Sequence, residues 1–278
     1  MRLNKNMYSL NIFRSYSNSL AKSSKALNNI STGKKINSAK DNPNKIGQNE
    51  TLKINILSTQ RAESNIQDTI SMMQTYDGAM NEINSTLGRI RELTVQGSNG
   101  TLSDEDKKAA QGEADQLIEG LKDLVKNTAF NGVSISAGDS VSGLDVVMKK
   151  SQVGAIDGET IDIPFFNMSV ENLGIDNIDI SDGDTSLPII DKAINMTSRM
   201  RGSYGAIQNS LEETAEAVSA KRVTIEGAQS SIGDADIAEE YIKYSTSGLL
   251  IQSSLSLIAQ ANNIPQDALQ IIGNIPRG

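Results

Sequence analysis

Most hydrolytic and metal-dependent chemistry starts from an imidazole, a thiolate or a cluster of ligands, and this chain contains neither histidine nor cysteine. Ser-His-Asp and Cys-His nucleophiles, HExxH and zinc-finger sites and disulfides are therefore excluded, and any metal would need an oxygen-only site. Gly33-Lys34-Lys35 has the basic end of a phosphate loop, but the glycine required five residues before its Gly-Lys pair is Asn28. Gly138-Asp139-Ser140-Val141-Ser142-Gly143 misses the nucleophile elbow by one residue, and without histidine it has no base. Asp176, Asp179, Asp182 and Asp184 lack the spacing of a calcium loop and read as a solvated turn. Sequons at Asn29, Asn84 and Asn99 fall on or beside helical patterns and specify nothing. The expectation is no catalytic site, no metal and no cofactor: not an enzyme but a structural or binding protein.

Composition agrees. The 278 residues are 37% hydrophobic but only 4% aromatic, a ratio that suits packed helices better than a compact enzyme core. The net charge of -8 repels a polyanion on average, so no nucleic acid is expected. Charge is unevenly placed. Nine bases from Arg2 to Lys45 face Asp41 alone, a net of +8 that leaves -16 for the rest of the chain. From Asp234 onward five acids face Lys243 and Arg277, so pairing of the two ends is electrostatically allowed. No stretch approaches the roughly 18 apolar residues of a membrane helix, and Met1 to Phe13 lacks the apolar run of a secretory signal. Neither a membrane nor the general export pathway is expected.

Periodicity supplies the elements. Phe13, Leu20 and Leu27 recur every seven residues, with Tyr16 and Ile30 three positions on, which predicts an amphipathic helix ending near Gly33. Asp41-Asn42-Pro43 then reads as a helix break. From about Lys45 to Gly97 the series Ile66, Met73, Met80, Leu87 and its partner Tyr76, Ile83, Ile90 predict one long coiled-coil-type helix. Some 50 residues of helix span roughly 75 Å, so a rod is expected. Ser103 before Asp104, Glu105 and Asp106 should open a third helix to about Asn127, with the stripe Ala110, Ala114, Leu117, Leu121, Leu124, Thr128 packing it back on the second.

Between Phe130 and Pro188 the pattern changes to short β-like runs, Val133-Ser134-Ile135, Asp145-Val146-Val147-Met148 and Thr160-Ile161-Asp162-Ile163. Helical rhythm returns with Ala193, Met200, Ile207, Thr214 and with Thr197, Tyr204, Leu211, Val218, Ile225. Asp234, with Asp236 in its first turn, should open a last helix carrying Ile237, Tyr244, Ile251 and Ile258, with Tyr241, Gly248 and Leu255 interleaved, and Pro265 should bend or end it. The fold class is thus mainly α: long antiparallel coiled-coil-like helices forming a rod, with a small β-rich insert in the middle. Both terminal stripes are too narrow to be stable alone, which predicts folding coupled to assembly.

At this point the chain resembles bacterial flagellin. The N-terminal half has Ser31-Thr32-Gly33-Lys34-Lys35-Ile36-Asn37-Ser38-Ala39-Lys40-Asp41, Gly78-Ala79-Met80-Asn81-Glu82-Ile83, Leu87-Gly88-Arg89-Ile90-Arg91-Glu92-Leu93-Thr94-Val95-Gln96 and Phe130-Asn131-Gly132. The C-terminal half has Gly205-Ala206-Ile207-Gln208-Asn209, Ile232-Gly233-Asp234-Ala235-Asp236 and Leu257-Ile258-Ala259-Gln260-Ala261-Asn262. The resemblance covers roughly residues 1 to 136 and 187 to 272. It implies an inner-tube arm and loop (1-44), a long helical rod (45-136), a short β-rich outer segment (137-187), a return helix (188-233) and a C-terminal inner-tube arm (234-278).

The resemblance further implies a structural subunit that polymerises with itself into the flagellar filament used for swimming. It implies export through the flagellar secretion channel without a cleaved signal, to an extracellular filament. The partners implied are copies of itself, an export chaperone at the C-terminal arm, and hook-associated and cap proteins at the filament ends. Filament packing is expected from Phe13, Leu20, Leu27, Ile30, Ile237, Tyr244, Ile251, Leu255 and Ile258. Similarity to the segment seen by the vertebrate flagellin-sensing Toll-like receptor carries over at Arg89, Leu93 and Glu113, on a helix surface. A hook-filament junction adaptor is the alternative, since Asp41-Asn42-Pro43 looks more like that relative, whereas Ala259-Gln260-Ala261-Asn262 looks like flagellin.

Overall fold

A computed structural model describes residues 7-135 and 146-273, with side chains to Asn263. The Gly138 to Gly143 motif lies outside the described residues. Helix α1 (Met7–Thr32) ends at Gly33, whose φ of 68° is the left-handed stop that the sequence predicts. Helix α2 (Pro43–Gly97) begins two residues earlier than its pattern suggests. The Asn42 side chain accepts from the Lys45 N–H at 3.1 Å, and Pro43 occupies the first helical position, where a missing N–H costs nothing. Asn42-Pro43 is a helix start as much as a break.

Helix α3 (Asp104–Asn127) is capped by Ser103 Oγ, which accepts from the Asp106 N–H at 3.2 Å, with three acids in the first turn. Its buried stripe is Ala110, Ala114, Ile118, Leu121 and Val125; the expected Leu117 and Leu124 are only partly buried, because the core lies one residue further round the helix. The insert holds two antiparallel pairs, β1 (Ala129–Phe130) with β2 (Val133–Ser134), and β3 (Val147–Gln152) with β4 (Thr160–Phe165). The β1-β2 connection is Asn131-Gly132, both at positive φ (48° and 77°), as the tight turn of a hairpin requires.

After the short α4 (Val170–Leu173), α5 (Gly183–Gly233) starts well before Pro188. Asp182 opens it, taking the Ser186 N–H on its carbonyl at 3.1 Å, and Pro188 in the second turn forfeits one backbone bond without ending the helix. The cap of α6 (Ile237–Gly273) is Asp236, not Asp234: its Oδ1 accepts from Ala238 and Glu239 N–H at 2.9 and 3.2 Å. The helical backbone continues through Pro265 to Gly273. The fold is mainly α with long helices and a small strand-bearing insert.

The chain forms two compact units, one of residues to Ile54 with those from Thr224, the other Asn55–Val223. The second unit has the main core. Met73, Tyr76, Met80, Ile83, Leu87, Ile90 and Leu93 of α2 meet the α3 stripe, Ile190, Ala193, Met200 and Tyr204 of α5, and Phe165, Met168, Ile175, Ile178 and Ile180 of the insert. Tyr76 and Tyr204 are fully buried against each other, with Phe165 beside Tyr76 and Phe166 beside Tyr204, and Tyr76 donates its hydroxyl to the Val133 carbonyl at 2.8 Å. Burial pushes the Tyr76 phenol up to about 12 and raises that of Tyr204 as well. Exposed ion pairs, Arg91–Asp191 and Arg201–Asp77 at 2.7 and 2.8 Å, join α2 to α5; such pairs add register more than stability.

At the end of α2, Gly97 touches the insert so closely that a Cβ would lie 2.8 Å from Ile180 Cδ1 and 3.0 Å from its carbonyl oxygen. Gly97→Ala should therefore cost about 1–3 kcal/mol by overpacking. Gly112→Ala, where a Cβ meets nothing within 4 Å, should instead gain about 0.5–1 kcal/mol. Thermal unfolding of both variants checks the pair, and equal shifts would contradict the assigned contact.

Candidate assembly surface

Helices α1 and α6 form the unit that holds most of the predicted site residues, and they are antiparallel: Ser9 lies by Asn262 at 3.5 Å and Asn29 by Glu240 at 3.3 Å. Their Cα atoms approach within 8 Å along the pair, closer than the helices of the Asn55–Val223 unit, where Met, Ile, Leu and Tyr stand between the backbones. The close approach follows from side-chain size. The buried positions are Ser19, Ala26 and Asn29 on α1 and Glu240, Ser247, Ser254 and Ala261 on α6. The α6 set has a perfect seven-residue period, built from small and polar residues.

The large apolar residues of the predicted series do not close this seam. Phe13 (59% exposed), Leu20 (48%), Leu27 (52%), Ile237 (47%) and Leu255 (51%) face outward, and Tyr244 is exposed too. Ile30, Ile251 and Ile258 are half-buried. Leu20 and Leu27 each sit one position beyond the small residues Ser19 and Ala26, so the helices pack on the small row and present the large row to solvent. Tyr241, Ile242, Leu249, Leu250 and Leu257 extend the exposed surface of α6. Hydrophobicity alone hides a seam of Ser and Ala; a search for small residues at seven-residue spacing would have found Ser247, Ser254 and Ala261.

A polar clasp closes one end of the pair. Asn29, a sequon residue, is 4% exposed and donates to Glu240 Oε2; its own Oδ1 accepts from Asn37 Nδ2 at 3.2 Å. Lys243 donates to Glu240 Oε1 at 2.8 Å, and this bond, followed by the one from Asn29, lowers the Glu240 pKa despite its burial. The loop of residues 33-42 is tied to the α5-α6 junction by an antiparallel bridge: Lys35 N–H to Gly233 O at 2.8 Å and Ala235 N–H to Gly33 O at 3.0 Å. Within the loop, Asp41 accepts from Lys25 Nζ (3.0 Å), the Asn37 and Ser38 N–H groups (3.2 and 3.1 Å) and Ser38 Oγ (3.2 Å). Led by the Lys25 contact, these donors hold its carboxyl at about 2.

The N-terminal helical region of bacterial flagellin matches residues 3–140, and the C-terminal helical region matches residues 187–272. A flagellin of Halalkalibacterium halodurans is 32% identical over 277 residues, covering 98% of this chain and all of the relative. The chain belongs to the bacterial flagellin family. A flagellin of Bacillus subtilis is 30% identical over 303 residues, again with 98% and 100% coverage. A putative flagellar hook-associated protein from Vibrio parahaemolyticus shares the fold, with a TM-score of 0.61 over 70% of this chain and 100% of its own, at 16% identity.

Arg89, Leu93 and Glu113, expected together on a helix surface, are only partly exposed. Arg89 donates through Nη2 and Nε to Glu113 Oε1 at 2.8 and 3.1 Å and through Nη1 to Glu92 Oε2 at 3.1 Å. Both Arg89 and Glu113 are about half exposed, at 50% and 48% of their side chains. Leu93, expected on the helix surface, is 2% exposed and belongs to the core shared by α2, α3 and α5. Its position three residues from the buried Ile90, itself three from the buried Leu87, puts it on the inward stripe. No helix of the described residues is long and apolar enough to cross a membrane.

Two expectations follow. Ser254→Leu or Ala26→Leu should push α1 from α6 and destabilise their pairing by about 1–3 kcal/mol, read by amide exchange in α1, with little change at Ile83 or Leu121. The Asp41 clasp should be acid-labile. Because its folded pKa of about 2 is below the ordinary 3.8, its contribution is complete above about pH 4 and lost as pH falls through about 2. An NMR titration of the Asn37 and Ser38 amides should show that low midpoint and lose it in Asp41→Asn; a midpoint near 4 would refute the assignment.

Proposed function

We propose that this chain is the structural subunit of a bacterial flagellar filament, with no catalytic role, and that copies join through the outward apolar rows of α1 and α6. What supports the filament role is family membership across nearly the whole chain, through both terminal helical regions. What supports the surface is the exposure of Phe13, Leu20, Leu27, Ile237, Tyr244 and Leu255 in regular array. Apolar side chains held outward at fixed spacing favour association, since each Leu or Phe then buried contributes about 1.5–3 kcal/mol.

In this reading residues 1-44 and 234-278 line the inner tube and the long helices surround it. Neighbouring copies cover Ile30, Ile251 and Ile258 fully. Export proceeds through the flagellar channel, with a chaperone covering the exposed α6 row beforehand, and hook-associated and cap proteins meet the same rows at the filament ends. The Arg89–Glu113 pair is the exposed part of a receptor-facing patch, with Leu93 acting from below as packing. The junction-adaptor reading is not better supported, since both terminal family regions and the full-length relatives are those of flagellin.

The test is seeded growth of purified, heat-dissociated protein, followed by electron microscopy. Wild-type chain should extend seeds into long tubular filaments. Leu20→Asp should leave the monomer within about 0.5 kcal/mol of wild type, as for an exposed substitution, yet abolish growth. Normal filaments from Leu20→Asp would remove the α1 row from the assembly surface, and wild-type monomers that cap seeds without growing would favour the junction adaptor.

A further inference from the structure

Beside the polar clasp, a groove of about 660 Å³ opens between α1, the 33-42 loop and α6, all within one compact unit. Five lysines line it: Lys22, Lys25, Lys35, Lys45 and Lys243. Its two carboxylates are already engaged, Asp41 by Lys25 and Glu240 by Lys243. Among the described residues, Lys22, Lys35 and Lys45 form no ion pair within 4 Å, Lys35 having only a longer-range attraction to Glu240, which leaves an excess of cations around a wall that includes Ala26, Ile36 and Leu250.

The complement is on α5. Glu212, Glu213 and Glu216 are exposed, and among the described residues they too have no ion pair. No Lys or Arg occurs between Arg201 and Lys221. Spacings of four (Glu212 to Glu216) and three (Glu213 to Glu216) put the carboxylates on one helical face. We infer that the lysine groove of one copy receives the Glu212-Glu213-Glu216 face of α5 from a second copy. Three cations meet three carboxylates, and a chain that is +8 to residue 45 and -16 beyond it favours its own acidic surface over a polyanion, which the body would repel. This contact rests on the filament reading and differs from the apolar rows: it would set which copies meet, and how fast, more than how tightly they hold.

The experiment is elongation from wild-type seeds by full-length chains, with far-UV circular dichroism confirming helix content. Lys22→Glu with Lys35→Glu and Lys45→Glu should slow elongation about tenfold or more, as steered association loses its attraction; Glu212→Lys with Glu213→Lys and Glu216→Lys should do the same. The six-substitution swap, grown on seeds of its own kind, should recover most of the rate, and added salt should slow wild type but not the Lys→Gln triple variant. If the Glu variant loses helix, the Lys→Gln variant takes its place. Wild-type elongation by the lysine variants would overturn the proposal, as would failure of the swap to recover. Absence of growth by wild type would instead count against the filament reading itself.

Discussion

What the terminal unit shows to its surroundings depends on how closely α1 and α6 approach. Two helices bring their Cα atoms within 8 Å only where the facing side chains are small, and here Ser19, Ala26, Ser247, Ser254 and Ala261 supply that row. Each helix has a limited circumference, so choosing the small row as the inner seam pushes the adjacent large row outward. Phe13, Leu20, Leu27 and Ile237 then have no place in the single chain. The Asn55–Val223 unit makes the opposite choice. There Met73, Met80, Leu87 and Tyr204 are buried and the helices stand further apart. One chain thus contains a unit that satisfies its own hydrophobic surface and a unit that leaves it for others.

Polar groups give the small-residue seam its register. Ser and Ala rows alone would tolerate a slide by one turn, since each turn looks much like the next. Asn29, Asn37, Glu240 and Lys243 do not. Their bonds join α1, the loop and α6 at one place, and a shift of one turn would strand Asn29 and Glu240, both nearly fully buried, without partners. The bridge between Lys34 and Asp234 holds the two chain reversals side by side in the same way. Specificity here is polar and adhesion apolar, and the two lie on different faces of the same helices.

Much of this was legible in the sequence. The long helices, their caps at Ser103 and near Asp234, the left-handed stop at Gly33 and the strand runs at Val133, Val147 and Thr160 all follow from local chemistry, which acts within a few residues. The burial of Ile66, Met73, Met80 and Leu87 follows from period seven. What the pattern could not give was the partner each stripe faces. Phe13 and Leu20 have the same spacing as Met73 and Met80, yet only the second pair is inside, because that outcome depends on residues distant in the chain. Leu93 is inside for the same reason: an apolar residue in a helix reads as surface or core only once the neighbouring helix is known.

The aromatic residues divide along the same line as the packing. The chain has no tryptophan and six tyrosines, of which Tyr76 and Tyr204 are sealed in one unit while Tyr8, Tyr16, Tyr241 and Tyr244 lie on the helices of the other. The tyrosines of the two units therefore sit in different surroundings, one pair sealed in a core and the others on helices that can be covered. Phenols with raised pKa report the inner packing of Asn55–Val223, and phenols at the surface report contact with whatever covers α1 and α6.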